Sequence, residues 1–320
     1  MANDITVKFV DFWNGWDDTD NFLLDALRQR YNPVVLPDDS PDEPQLLFFS
    51  FFGEEHLSHS GCIKIYYTGE NDVPNFNECD YAISFHDISF GHRHLRYPLY
   101  ATYPEFRRLT ATPRDAAPEL ARRRFCSFLT SNAHNSHPMR QELLKALNDY
   151  KPVASGGRAL NNIGSVVEDK ELFLSQYKFN LAIENSRLSG YVTEKLPDAL
   201  AAHTVPIYWG DSATAAAQFN SRAYIDAGDF ATPDTLLAAI AALDANPEAY
   251  LAMLRQPALA ADAVADWDER LAAFLAAIAT NGRRHIARYG GQNQLATRHR
   301  QQAWLFRNRL LRALARRNAK

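Results

Sequence analysis

The sequence predicts an α/β protein built on parallel sheets with helices on both faces, divided into roughly two domains. Three observations carry that expectation. Short apolar runs rich in Val, Ile, Phe and Tyr alternate with segments of helical periodicity along most of the chain. The 320 residues supply material for about two ordinary cores. Hydrophobic residues at 46% and charged residues at 22% belong to a globular chain, which excludes a disordered, collagen-like or disulfide-scaffold protein.

Taken in order, residues 5–9 read as an opening strand and 11–20 as an aromatic, acidic loop. Residues 21–30 read as a helix with Phe22, Leu23, Ala26 and Leu27 on one face. Strands follow at 34–36, 46–52, 63–67 and 81–85, the first two separated by a Pro- and Asp-rich turn at 37–44. Residues 101–122, with Pro104, Pro113 and Pro118, read as an irregular connection. A strand at 124–129 and a helix at 139–150 come next. The Gly- and Asn-rich stretch 154–164 is the expected domain boundary, giving domains of 1–155 and 156–300. Strand 179–183, helix 194–202 and strand 205–209 form one parallel crossover. Residues 233–279 are Ala-rich and helical, divided by Pro247 and Pro257.

Charge is unevenly placed. Residues 283–320 hold 11 Lys and Arg and no acid, leaving 23 of the 34 basic and all 38 acidic residues in 1–282. The last segment, 301–320, is a basic amphipathic tail with Ala303, Phe306, Leu310 and Leu314 at helical spacing. It is expected to lie on an anionic membrane surface or to pack back on the acidic body; without interleaved stacking aromatics it does not read as a nucleic-acid module. The chain opens without a signal-like apolar run. Its greasiest stretch, 271–279, is about half of the roughly 20 residues a bilayer crossing needs. Cys62, Cys79 and Cys126 are odd in number and unpatterned. A cytoplasmic protein, peripheral at most on the inner membrane face, is expected.

Chemistry concentrates in 175–211. The run FNLAI reads as a buried strand delivering Glu184 and Asn185 into a loop at its carboxyl end, where open parallel sheets place ligands. Gly190 and Tyr191 turn the chain, Thr193 stands at an expected helix N-cap, and Glu194 and Lys195 fall in the first turn. Free N–H groups at a helix start and a lysine charge suit phosphate. A solvated first turn would explain Thr193–Lys195 alone. The crowding of Glu184, Asn185, Arg187, Tyr191, Glu194 and Lys195 within twelve residues argues for a site.

The run ENSRLSGYVTEKLPDALAAHTVPIYWGD closely resembles the signature of the α-1,3/4-fucosyltransferases. FLSQYKF at 173–179, NPEAYLAML at 246–254 and ISFHDISFGHRHLRYPLY at 83–100 are similar to bacterial members. The resemblance implies a GT-B fold, two Rossmann-like domains facing across a cleft, with the nucleotide in the C-terminal domain and the acceptor at the N-terminal one. It implies GDP-β-L-fucose as donor and inversion at the anomeric carbon. The acceptor is expected to be O-3 of GlcNAc in an N-acetyllactosamine or Lewis-type glycan. Carried onto this chain, Glu184, Asn185, Tyr191, Glu194 and Lys195 fall at donor-binding positions, with Glu194 and Lys195 also acting in catalysis. Arg158 is the candidate for the basic residue that the family places ahead of this strand, with Leu160 in the neighbouring register. Bacterial members have a glutamate base in a D-E-L-D-F-like segment; this chain has Asp87 in that place, one methylene shorter, with His86 beside it.

No cofactor is expected beyond the donor substrate, with at most a stimulatory divalent metal. His86, Asp87, His92 and His94 lack a fourth ligand set by spacing, so no metal site is assigned. Asp18-Thr19-Asp20 precedes a helix, which favours Asp20 as an N-cap over a metal-binding D-x-D. His134 and His137 are expected to do nothing chemical. Trp13 and Trp16 suit either sugar stacking or packing. Competing readings are a non-catalytic GDP-sugar- or glycan-binding protein, a transferase of the same fold using another GDP-sugar, and a membrane-surface adaptor built around the tail.

Overall fold

The computed structural model describes residues 3–131 and 137–285, together with 299, 300 and 303. The basic tail of 301–320, His134 and the tail's membrane contact therefore fall outside the described residues, Ala303 excepted. Two compact units divide the chain. The first comprises residues 1–84, 88–96 and 268–320; the second comprises 85–87 and 97–267.

The first unit is built on strands β1 (Asn3–Val10), β2 (Tyr31–Val35), β3 (Leu46–Phe49), β4 (Ile63–Thr68), β5 (Tyr81–Ser84) and β6 (His94–Arg96), with helix α1 (Phe22–Arg28) between the first two. They form one sheet in the order β2-β1-β3-β4-β5-β6, every pairing parallel. Strand β3 is buried at all four positions and β5 likewise, the pattern of a sheet covered on both faces. Helix α1 buries Leu23, Leu24, Ala26 and Leu27. Its cap is Asn21, whose side chain accepts from the Leu23 and Leu24 N–H groups, and not Asp20 as expected. The acidic loop uses its carboxylates otherwise: Asp17 accepts from the backbones of Thr19 and Asp20 and from the Thr19 hydroxyl. Short β6 has no clear period in the sequence. His94 there bonds Ser84 Oγ at 2.9 Å and the Ile88 carbonyl at 3.0 Å, a structural task.

The second unit contains helix α2 (Pro104–Arg107), β7 (Arg124–Phe128), α3 (Met139–Tyr150), β8 (Val153–Ser155), α4 (Lys170–Leu174), β9 (Tyr177–Ile183), α5 (Lys195–Ala201), β10 (Val205–Trp209), α6 (Ser212–Gln218), β11 (Ile225–Asp226), α7 (Pro233–Asp244) and α8 (Pro247–Leu254). Its sheet runs β11-β10-β9-β7-β8, again entirely parallel. All seven residues of β9 are buried. Phe179, Leu181 and Ile183 join Phe128, Val205 and Ile207 in one core, each such side chain contributing about 1.5–3 kcal/mol by burial. Helix α9 (Trp267–Asn281) begins in this unit and continues into the first.

The boundary expected at 155/156 is corrected by this topology, because β7 and β8 belong to the second sheet. The Gly- and Asn-rich stretch is a loop at a strand end. A Cβ on Gly157 would lie 2.0 Å from the Thr130 carbonyl, so only glycine permits that approach. Asn162 reaches back to the Val153 carbonyl and the Ser155 N–H, and Asn161 to the Gly157 carbonyl. These residues close a tight loop, which gives the stretch the composition of a linker.

Asp244 ties α7 to the start of β9. Its buried carboxylate accepts from Lys178 and from Lys151, each at 2.5 Å. Burial opposes its ionisation, but the two lysines hold its carboxyl below the ordinary value. Asp244→Ala leaves Lys178 buried without its partner and should cost about 3–5 kcal/mol in urea unfolding. Because the folded pKa is depressed, this stability is present at neutral pH and is lost as pH falls below the unfolded carboxyl value near ~3.9. The gap between wild type and Asp244→Asn should therefore close below about pH 4. A gap that persists undiminished well below that pH, down to about pH 2, would refute the assignment.

Candidate functional site

In the second sheet β7 and β9 are neighbours while β8, between them in sequence, lies outside β7. The chain thus reverses its direction of winding between β7 and β9. Parallel sheets leave a crevice for ligands at the carboxyl ends of such a pair. The residues at those ends are Thr130 after β7, and Glu184 and Asn185 after β9.

Glu184 has no exposed side-chain surface. Its N–H continues the pairing with β10 by donating to the Trp209 carbonyl at 2.9 Å. Its carboxylate accepts from the Thr193 N–H at 2.8 Å, the Thr193 hydroxyl at 2.7 Å and Lys195 Nζ at 3.1 Å. Lys195 Nζ also donates to Thr193 Oγ1 at 2.8 Å and Glu194 Oε1 at 3.2 Å. Thr193 is therefore not the expected N-cap; its hydroxyl is spent between Glu184 and Lys195, and α5 starts with no side-chain cap. Burial pushes the Glu184 carboxyl up, Glu194 adding to the rise and Lys195 opposing it. Burial alone would lower Lys195, yet Glu184 and Glu194 together hold its ammonium well above the ordinary range. Glu194 is brought down to about 2 against its burial by Lys195 and Lys170. The result is a fixed cation, 18% exposed, braced by two carboxylates at the end of the central strand.

The loop from Asn185 to Tyr191 is closed by Gly190, at φ +86, whose N–H donates to Asp211 at 2.8 Å beyond β10. A Cβ there would lie 2.4 Å from the Phe85 carbonyl and 3.1 Å from the Asp87 N. Residues 85–87 thus pack on this loop. Tyr191 is buried edge-on against Phe85, ring centroids 4.9 Å apart, and Phe85 stacks on His86 at 4.0 Å. His86 is buried, whereas Asp87 is exposed.

On the β7 side stands Arg140 of α3, 1% exposed. Its guanidinium donates to Thr130 Oγ1 at 3.0 Å, the Ile183 carbonyl at 2.8 Å and Asn185 Oδ1 at 2.7 Å. His137 donates its N–H to the Asn185 carbonyl at 3.0 Å and lays its ring 4.5 Å from Trp209. Sequence reasoning missed Arg140 and Thr130 and set His137 aside. They lie some fifty residues from the signature, and only the HP dipeptide opening a helix hinted at them. Arg158 is exposed in the loop after β8 that rests on Thr130. The structure thus gathers Glu184, Glu194 and Lys195 into one network, sets Asn185 on Arg140 and Tyr191 on Phe85, and leaves Arg158 on the adjacent strand end. Of the four residues weighed as metal ligands, His86 and Asp87 belong to the second unit and His92 and His94 to the first. A rigid cation beside polar loop groups suits an anionic ligand such as a phosphate ester.

The model of the alpha-(1,3)-fucosyltransferase FucT N-terminal domain matches residues 7–103, and that of glycosyltransferase family 10 (fucosyltransferase), C-terminal part, matches 120–280. The Helicobacter pylori alpha-(1,3)-fucosyltransferase FucT is 36% identical over 282 residues, covering 75% of this chain and 58% of that protein. The chain therefore spans little more than half the length of this relative. A crystal structure of an alpha1,3-fucosyltransferase superposes with a TM-score of 0.76 at 30% identity, covering 90% of this chain and 93% of that one. Another, with GDP-fucose, gives 0.72 at 30% identity over 90% and 94%. The fold is of the GT-B class.

Gly190→Ala adds a Cβ against a backbone carbonyl at a positive φ. It should lower the unfolding free energy by about 1–3 kcal/mol and raise hydrogen exchange across 186–193. Unchanged stability and exchange would show that the loop is not held as described.

Proposed function

The chain belongs to glycosyltransferase family 10, the fucosyltransferases, and on that premise we propose that it transfers L-fucose from GDP-β-L-fucose to a hydroxyl of an N-acetyllactosamine or Lewis-type glycan, at O-3 of GlcNAc. The observation that carries this reading is the Glu184–Thr193–Lys195 network, which holds a cation at the end of the central strand. The relative solved with GDP-fucose supports the choice of donor.

In this reading the acceptor oxygen attacks the anomeric carbon from the face opposite GDP. The new C–O bond forms as the bond to the β-phosphate oxygen breaks, inverting the centre. Negative charge grows on the departing diphosphate, where Lys195 compensates it. Glu194, ionised far below neutral pH, steadies positive charge spreading over the sugar ring. Asn185, Tyr191 and Arg158 line the donor position. Asp87 takes the acceptor proton. It is an exposed carboxylate beside the Gly190 turn, while the neighbouring His86 ring is buried against Phe85.

A glycan acceptor is supported by the aromatic surface of the first unit. Trp13, Phe51 and Phe52 expose 36%, 42% and 48% of their surface just beyond the carboxyl ends of β1 and β3. Trp13 and Trp16 also pack on each other at 4.9 Å, so stacking and packing roles coexist there. We propose a cytoplasmic protein, in which the basic sequence of 301–320 suits either the anionic inner membrane face or the acidic body of the chain.

Two substitutions test the division of labour. Lys195→Ala should weaken GDP binding by at least ~100-fold, the loss of a charge-assisted contact in a partly buried site. Asp87→Asn should leave GDP affinity within about threefold while transfer of a deoxyhexose mass to N-acetyllactosamine falls by at least ~100-fold. Transfer retained in Asp87→Asn would place the base elsewhere. Unchanged GDP affinity in Lys195→Ala would overturn the donor assignment.

A further inference from the structure

A second cluster lies in the first unit, at the amino-terminal edge of its sheet, away from the strand ends where ligands of parallel sheets bind. Glu43 precedes β3 and Cys62 precedes β4, two neighbouring strands in register from Leu46 and Ile63. His59 completes a His-x-x-Cys turn. The Glu43 carboxylate, an imidazole nitrogen of His59 and Cys62 Sγ all lie within 4.8 Å of one another. Glu43 Oε2 is 3.2 Å from His59 Nδ1, close to the ~3.3 Å that separates two ligand atoms bound tetrahedrally at 2.0–2.1 Å. The turn is shaped for this approach, since a Cβ on Gly61 would come 3.2 Å from Glu43 Cγ. Glu55 Oε1 lies 3.9 Å from His59 Nε2, on the side where a metal-bound histidine ordinarily faces a carboxylate.

We propose that Glu43, His59 and Cys62 bind one divalent transition-metal ion, of which Zn2+ best suits a thiolate, an imidazole and a carboxylate together. Glu43 is exposed and His59 half-buried, so the fourth position faces solvent and takes a water molecule. Binding expels the Cys62 thiol proton to solvent. Burial and the Glu43 charge favour the protonated thiol, the adjacent Lys64 favours the thiolate, and the metal itself supplies the decisive charge. The ion clips the 37–44 turn to the turn ahead of β4. It stabilises the first unit and takes no part in transfer.

The test uses the full-length, tag-free, reduced protein after chelator treatment, titrated with Co2+ and then with Zn2+. One equivalent of Co2+ should produce a thiolate-to-cobalt charge-transfer band that Zn2+ abolishes, and Zn2+ should raise Tm. Cys62→Ser should remove the band and weaken Zn2+ binding by at least ~100-fold. Glu43→Gln, at an exposed position, and His59→Gln, at a half-buried one, should weaken it by at least ~10-fold as well. Cys79→Ser and Cys126→Ser should keep the band. A band that survives Cys62→Ser, or the lack of saturable binding by the folded wild-type protein, would overturn the proposal.

Discussion

Glu184, a carboxylate with no exposed surface, is the constraint on which the second unit's functional end depends. A buried carboxylate is tolerated only when its oxygens are supplied with donors. Here the donors come from the chain's own return: the Thr193 backbone and hydroxyl, and Lys195. Meeting that requirement forces residues 185–193 to fold back over the end of β9. It also fixes the start of α5 and aims a lysine whose ammonium, against its burial, is held well above its ordinary range by Glu184 and Glu194. Removing the acid would release the Thr193 end of the loop and leave Lys195 with Thr193 and Glu194 alone.

The rest of the site is arranged around that point by topology. Reversal of winding between β7 and β9 opens the sheet where Glu184 emerges. Arg140 closes the far side by binding Ile183, Asn185 and Thr130 at once, a planar donor set that a lysine does not reproduce. Gly157 and Gly190 let backbone approach backbone where any side chain would collide. Each of these is a close-range requirement of the same strand end. Together they tie a polar surface loop to the strand end at several points.

The central strands and the long helices were legible in the sequence because their period and composition are local. Met139–Tyr150 and Val205–Trp209 run as their patterns predict. The crowding of Glu184, Glu194 and Lys195 was legible too, since all three lie within one short segment. Their bonding to one another through Thr193 was not, because that threonine read as a helix cap. Strands β6, β8 and β11 were not, being two or three residues long and held by neighbours distant in sequence. Arg140 was hidden for the same reason, as its partners Thr130, Ile183 and Asn185 are brought to it by sheet formation. The domain boundary was misplaced because glycines that permit tight packing have the composition of glycines that loosen a linker.

The most direct test of the account is calorimetric titration of GDP into the wild type, Glu184→Gln, Lys195→Met and the double variant. If Glu184 acts by holding Lys195, the double variant should bind GDP about as weakly as Lys195→Met alone, so the two losses fail to add. Losses that add in full would mean that the two residues act independently, and would contradict the claim that the buried acid organises the site.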